Sequence, residues 1–535
     1  METGSTPSAM TRAWGWRPGA PFLGVAAASA LLLWRLAPDV RAKPIYEDEA
    51  LAGLVSAHNL TEVLATVHDR GGAPLHFVLA SLALALEPST SALRWLSVVL
   101  AVAAIPLCYD LARRVAGPTA GVAAAAVAAS SQMLGVYGSF GRMYALLVLV
   151  SALAVDLFVR ALHARTRGTA LAAATAAVLL PATHPFGIVL LAAEALVGLC
   201  VWRGRGLRVA VPVLLVGLAL VPLAIADLRL ANRFAVGVNA QESVVSPRRA
   251  AAVTVRALGG FGGGRGLVFV LFVALALVGG VVLWRRGERG FIGLVVVAAV
   301  GLPLILLISR SGQGFSDHFT SRHLIFLLPL WAALVGAGFE RVTRSAPLLA
   351  RAGLLVVLTV AALVAPSVVP DPRSLRSGLP ESLAVPAGWL RGEIEPNAVL
   401  FPSSPVYLAA LPAARHAHAL PREQPLLVTR ALRQAHFPAP ALYVAVPLDG
   451  DARVRVTALR SALGPGFSVR RFPSWLLIRA AGPFDDDRAV LERLVRGVSA
   501  ARASIDNPSI QLEGYMRQSL GSLCGSLRSA GGTCE

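Results

Sequence analysis

Eleven apolar runs, most of them long enough to cross a lipid bilayer, follow one another through the first two thirds of this 535-residue chain. They lie near residues 20–37, 92–112, 117–136, 142–162, 168–183, 185–202, 207–227, 266–284, 291–309, 322–341 and 346–366. Hydrophobic residues make up 56% of the chain and charged residues 15%, and mean hydropathy is +0.65. No set of soluble cores absorbs that much apolar surface, so a polytopic α-helical membrane protein is expected. A disordered, collagen-like or disulfide-framed chain is excluded. A further run, 74–86, has about 13 residues between Pro74 and Pro88, short of the ~20 that a crossing helix needs. The first run follows Arg12 and Arg17 as a secretion signal would. Trp34-Arg35-Leu36-Ala37-Pro38 is a poor cleavage site, however, so the run is read as a retained span.

Forty-nine basic residues against 30 acidic ones give a net charge of +19, with Lys43 the single lysine. In a soluble protein this balance would suggest nucleic acid. Here the arginines punctuate apolar runs, which fits topology signals and anionic lipid headgroups, and no nucleic-acid partner is expected. Tight basic turns occur at Arg113/Arg114, Arg165/Arg167, Arg203/Arg205/Arg208, Arg285/Arg286/Arg289 and Arg341/Arg344, at every second connection. Cytoplasmic loops have this pattern. The alternation works from a cytoplasmic N-terminus (1–19) only if 74–86 does not cross, so that segment is read as lying on the outer face. Eleven spans over 20–370 result, with outer loops at about 38–91 and 228–265. The segment 371–535 is then outside the cell membrane, in which the chain is a multi-pass protein.

That last segment has soluble composition. Residues 397–401 and 441–446 read as buried strands, 467–469 and 475–478 as a hairpin-like pair, and 381–392, 451–463 and 486–504 as helices. A small extracytoplasmic α/β domain is expected, with a C-terminal tail that need not be ordered. Cys108 and Cys200 lie in apolar runs as packing residues. Cys524 and Cys534 close a short loop, either as a disulfide in an oxidising compartment or as two free thiols.

Acidic residues are scarce, so their placement is informative. Tyr46-Glu47-Asp48-Glu49 follows the first span. A carboxylate there, partly shielded from water, is suited to accept a proton, although an acidic helix cap has the same pattern. His68-Asp69-Arg70 and His76 flank a Gly-Gly break in the same loop. Arg70 suits a phosphate and the histidines suit a hydroxyl, or the stretch is simply a polar turn. Its spacing fits no standard metal site. Tyr137 to Tyr144, with Arg142 between them, His184-Pro185-Phe186 and Ser321-Arg322-His323 lie at further outer turns. All five clusters therefore share one membrane face. Within the spans, Asp156 has Arg160 one turn on, and Glu194 is explained either by function or by a hydrogen bond to a neighbouring helix.

In this order the clusters resemble the superfamily C glycosyltransferases that use polyprenyl-phosphate sugars, among them protein O-mannosyltransferases, aminoarabinose transferases and bacterial membrane mannosyl- and arabinosyltransferases. The matching stretches are Tyr46-Glu47-Asp48-Glu49-Ala50, Ala73-Pro74-Leu75-His76-Phe77, Arg142-Met143-Tyr144, Thr183-His184-Pro185-Phe186-Gly187 and Arg322-His323. One proline of the usual pair is missing before Leu75, Phe140 and Gly141 stand where an acid or alanine is usual, and His323 replaces a tyrosine. The resemblance covers roughly 20–340. It implies sugar transfer from a polyprenyl-phosphate donor to a hydroxyl of a glycan, lipid or protein acceptor outside the cytoplasm, with inversion. Asp48 and Glu49 would be the catalytic pair, with Asp48 as general base. Arg322, Arg142 and Arg70 would hold the donor phosphate, and Tyr46, His68, His76, Tyr144, His184 and His323 the substrates. Arginines neutralise a leaving phosphate monoester unaided, so no cofactor is expected and a divalent metal is not required. A transporter or flippase is the main alternative, and an anchored scaffold the second. The first predicts internal repeats and midplane charge pairs, and neither is evident.

Overall fold

The computed structural model describes residues 19–43, 47–57, 59–70, 73–87, 89–164, 166–201, 247–308, 321–371 and 373. Toward the C-terminus it describes 397–401, 418–419, 432–433, 435–447, 453–472, 475–506 and 510–534, with Leu215, Glu395 and Val428 as isolated positions. The expected span at 207–227 and the helix at 381–392 lie outside these residues.

The apolar runs form helices α1 (Ala20–Ala42), α5 (Thr90–Ala116), α6 (Pro118–Ser130), α7 (Gln132–Tyr137), α8 (Tyr144–Ala164), α9 (Arg167–Thr183) and α10 (Gly187–Val201). Further along come α12 (Leu267–Arg285), α13 (Arg289–Ile308), α14 (Leu328–Thr343) and α15 (Leu348–Val364). Between the first and second spans lie α2 (Glu47–Ser56), α3 (Leu60–Arg70) and α4 (Pro74–Leu86); before α12 lies α11 (Pro247–Phe261). Among the described residues five helices are long and apolar enough to cross a membrane, and six more are apolar but shorter. The architecture is that of a polytopic membrane protein.

Small residues let these helices approach closely. Nine residues of alanine-rich α6 are buried, where it packs against α1, α5 and α14. A Cβ at Gly279 would strike the Leu334 carbonyl oxygen, and one at Gly338 that of Leu275, so α12 and α14 meet backbone to backbone through two glycines. At one end of α5 and α8, Asp110, Arg113, Arg114, Asp156 and Arg160 form a closed ion network. Arg114 bridges Asp110 at 2.7 Å and Asp156 at 3.0 Å, and Arg160 bridges Asp110 at 2.6 Å and Asp156 at 2.7 Å. The expected local pair of Asp156 and Arg160 is thus part of a cross-helix clamp. Glu194 is buried, and neither of its oxygens has a hydrogen-bond partner among the described residues.

The run 117–136 is not one helix. It breaks at Ser131, and the freed backbone groups find side chains, as a buried break requires. Ser131 caps the next turn by accepting from the Leu134 N–H at 3.3 Å, and it donates to the Gly260 carbonyl at 3.0 Å. Arg35, from the middle of α1, donates to the carbonyls of Ala129 and Ser131. Gln132 holds the chain that leaves α15, donating to Ala365 O at 3.1 Å and accepting from Val368 N at 3.0 Å.

The short run is a 13-residue helix, α4, about 20 Å long by helical rise, which falls short of a ~30 Å hydrocarbon layer. With α2 and α3 it forms a small satellite core of Ala52, Val55, Val63, Val67 and Phe77.

The C-terminal part contains a five-stranded mixed sheet in the order β2-β1-β3-β6-β5. Its strands are β1 (Val399–Phe401), β2 (His418–Ala419), β3 (Ala439–Pro447), β5 (Phe467–Phe472) and β6 (Trp475–Phe484). A second small sheet pairs β4 (Arg453–Val454) with β7 (Ile505–Asp506). β1 runs parallel to both neighbours, whereas β3, β6 and β5 are antiparallel. Two helices, α16 (Val456–Leu463) and α17 (Asp487–Ser504), add Leu459, Leu494 and Val498 to the core beneath the sheet. The chain then forms a helix, α18 (Ile510–Ser529). Cys524 and Cys534 are joined as a disulfide.

Candidate functional site

The start of α2 places Asp48 and Glu49 in its first turn, facing different surroundings. Glu49 is fully buried. Arg94, in the first turns of α5, grips it through both guanidinium edges, Nε to Oε1 at 2.8 Å and Nη2 to Oε2 at 2.7 Å. The backbone N–H of Gly141 donates to the same Oε1 at 2.9 Å. A carboxylate so engaged is a structural tie; of the two roles the resemblance implies for Glu49, hydrogen-bonding the acceptor or holding Asp48 in place, this geometry suits the second. Asp48 is the more open of the two. Its side chain is 30% exposed and its Oδ2 lies 3.9 Å from Arg322 Nη1.

Arg322 and His323 sit in a 3₁₀ segment, Ser321–Leu327, that leads into α14. The guanidinium of Arg322 lies 5.8 Å above the ring of Tyr144, the first residue of α8. Tyr144 in turn packs on Tyr137 at 4.9 Å and on His184 at 6.1 Å. His184 stacks on Phe186 with centroids 5.3 Å apart, and His323 lies 5.7 Å from His184 and 4.8 Å from Phe186. An aromatic floor thus carries the arginine at its edge.

Arg142 stands on the turn between α7 and α8, its guanidinium 5.9 Å from the Phe77 ring. Its Nε and Nη1 are buried and have no hydrogen-bond partner among the described residues. A buried cationic donor without an acceptor is costly, and an anion there would relieve it. His76, next to Phe77, is 1% exposed. Burial first, and then the charge of Arg142, pushes its pKa down from 6.5 to about 3. His184 is likewise driven to about 3, by burial and by Arg142 and Arg322, and its Nδ1 accepts from the Phe186 N–H at 3.1 Å. Both rings are therefore neutral at ordinary pH. The positive charge here comes from Arg142 and Arg322. Among the described residues no three His, Cys, Asp or Glu side chains gather as metal ligands.

Asp48, Arg142, Tyr144, His76, His184, Arg322 and His323, spread over 276 positions of sequence, meet at one end of the helix bundle. Tyr46 lies outside the described residues. His68 and Arg70 belong to the last turn of α3, and their side chains are outside the described set. Two arginines escaped the sequence reading. Arg94 passes for an ordinary cation at the start of an apolar run, and its partner lies 45 residues earlier. Arg373 passes for part of a soluble segment, yet it is buried. It donates to Val136 O at 3.0 Å, Ser139 Oγ at 3.1 Å and Asp371 at 3.0 Å, with Asp39 3.5 Å away. Burial alone would raise the Asp371 pKa, but Arg373 and Lys43, the latter at 3.5 Å, hold it below the usual carboxylate range.

No family model and no curated protein matches the chain. Solved structures do. ArnT from Cupriavidus metallidurans in the apo state superposes with a TM-score of 0.55 at 15% identity, over 86% of this chain and 99% of that one. The same protein bound to undecaprenyl phosphate gives 0.54 at 15% identity, over 87% and 100%. The oligosaccharyltransferase of Archaeoglobus fulgidus in the apo form gives 0.46 at 13% identity, over 81% and 70%, and nothing below rests on it. The chain has the fold of ArnT from Cupriavidus metallidurans.

Proposed function

We propose that this protein is a membrane glycosyltransferase that moves a sugar from a polyprenyl-phosphate donor to an acceptor hydroxyl on the extracytoplasmic face. The acceptor oxygen attacks the anomeric carbon from the side opposite the phosphate, so configuration inverts. Asp48 takes the hydroxyl proton as the new C–O bond forms. The bond to phosphate breaks, and the lipid phosphate leaves with the electron pair as a monoester. Arg322 and Arg142 carry that developing charge, a role that needs donors aimed at the leaving oxygens and no general acid. Tyr144, His184 and His323 form the floor on which the sugar rests. The observation that carries the reading is the Asp48–Arg322 approach of 3.9 Å beside the partnerless buried nitrogens of Arg142. That ArnT has been seen with undecaprenyl phosphate supports a lipid-phosphate donor.

Eleven spans with the N-terminus inside remain the topology we favour, because the basic turns alternate on that count. The Cys524–Cys534 disulfide favours an oxidising compartment for the C-terminal part. The sugar is a hexose or a pentose, and the acceptor a glycan, lipid or protein of the cell envelope.

The test uses the purified full chain in nanodiscs with a panel of undecaprenyl-phosphate sugars and envelope acceptors. Asp48→Asn is expected to lower transfer by about 10²–10⁴-fold, the usual contribution of a general base. A mutant rate near wild type removes Asp48 from that role. Absence of transfer by wild type from every donor removes the reaction itself.

A further inference from the structure

We infer that the buried Glu49–Arg94 pair sets the spacing of the site and that Arg94 is its positioning residue. One carboxylate oxygen does two things. Glu49 Oε1 receives Arg94 Nε at 2.8 Å and the Gly141 N–H at 2.9 Å. Glu49 is the neighbour of Asp48, and Gly141 is the neighbour of Arg142. The proposed base and a proposed phosphate ligand are therefore each one residue from the same oxygen atom. Arg94 extends the tie. Its Nη1 donates to Val40 O at 3.1 Å and to Lys43 O at 2.7 Å, where α1 ends. Four segments thus converge on one ion pair: the end of α1, the start of α2, the start of α5 and the turn before α8.

The pair is nearly dry, with side-chain exposures of 3% for Arg94 and 0% for Glu49. A planar fork engages both carboxylate oxygens and still has Nη1 left for two carbonyls, which an ammonium on a flexible stem cannot do. Space around the junction is tight. A Cβ on Gly141 would lie 3.3 Å from Leu93 Cβ and 3.4 Å from Glu49 Oε1. A methyl group there would meet the carboxylate at ordinary contact and ask Leu93 to give by a few tenths of an ångström. The purpose assigned to this geometry rests on the transfer reading above. The geometry itself is measurable without it.

The experiment has two arms. In the first, Asp48→Cys and Arg322→Cys are combined in a Cys200→Ser background, and a short bifunctional thiol reagent is applied with Arg94 or with Arg94→Lys. Cross-linking is expected to slow by about tenfold with lysine, because losing a bidentate fork frees the α2 turn. An equal rate overturns the positioning role. In the second arm, Arg94→Lys is assayed for transfer alongside its thermal midpoint. The expected signature is a kcat per folded molecule lowered by about 10²-fold, the cost of roughly 1 Å of misplacement, beyond any fall in thermal midpoint from loss of the fork. Specific activity that falls only with the folded fraction makes the pair structural and overturns the inference. If wild type transfers no sugar while cross-linking still depends on Arg94, the transfer reading fails and the positioning of residue 48 stands.

Discussion

The two ends of α5 carry the same chemistry arranged to different ends. At one end Asp110, Arg113, Arg114, Asp156 and Arg160 answer one another at 2.6–3.0 Å or closer. At the other, Asp48 and Arg322 stop 3.9 Å apart and Arg142 keeps buried nitrogens without an acceptor among the described residues. Charges that close on each other hold helices together. At the Asp48 end the one ion pair is longer, and the buried Arg142 nitrogens are donors that an anion would satisfy. The difference lies in how the charges are matched, and residue type alone does not reveal it.

The comparison breaks if substitutions at the two ends behave alike. The largest expected effect is at the open end: Arg322→Gln should cut transfer by about 10²–10³-fold, as loss of a charge-stabilising donor does, with little change in melting. At the closed end Asp156→Asn should lower stability by about 1–3 kcal/mol, less than a fully buried pair because its arginines are partly exposed, while folded protein keeps its rate. Calorimetry and initial rates on both variants decide the matter.

A smaller effect concerns acid. The unfolded chain protonates His76 near pH 6.5, whereas the folded one resists to about 3. The unfolded state therefore binds more protons in that window, so stability falls as pH drops from about 6.5 toward 3. His76→Gln should flatten that slope of melting temperature against pH. The smallest effect is on thiols. Exposed Cys200 should react with maleimide in the native, detergent-solubilised protein, whereas Cys524 and Cys534 should react only after reduction. Transfer should not respond to either treatment.

Much of this was legible in the chain itself. The runs gave the helices, and the scarcity of acids drew attention to Asp48. Breaks such as His184-Pro185 marked turns that the structure brings beside one another. The strand patterns at 441–446 and 475–478 sit within β3 and β6 because alternation and β-branching are local signals. What stayed hidden depends on distant partners. Arg94 and Glu49 are far apart in sequence, and neither has a periodic signature. The break at Ser131 is invisible in an unbroken apolar run, because what makes it tolerable is Arg35 on another helix. That Glu49 is buried while Asp48 beside it is partly open is likewise not visible in the sequence.

One feature of α5 reaches beyond the site. Between Arg94, tied to Glu49 of α2, and Arg114, tied to Asp156 of α8, the helix climbs about 30 Å at ordinary helical rise, matching the ~30 Å of a typical hydrocarbon layer. Both anchors are fixed to other helices, so this rod cannot slide freely to follow its surroundings. Lipids with shorter or longer acyl chains would strain one anchor or the other, and the anchor at Arg94 is the one on which the spacing of the reacting groups depends.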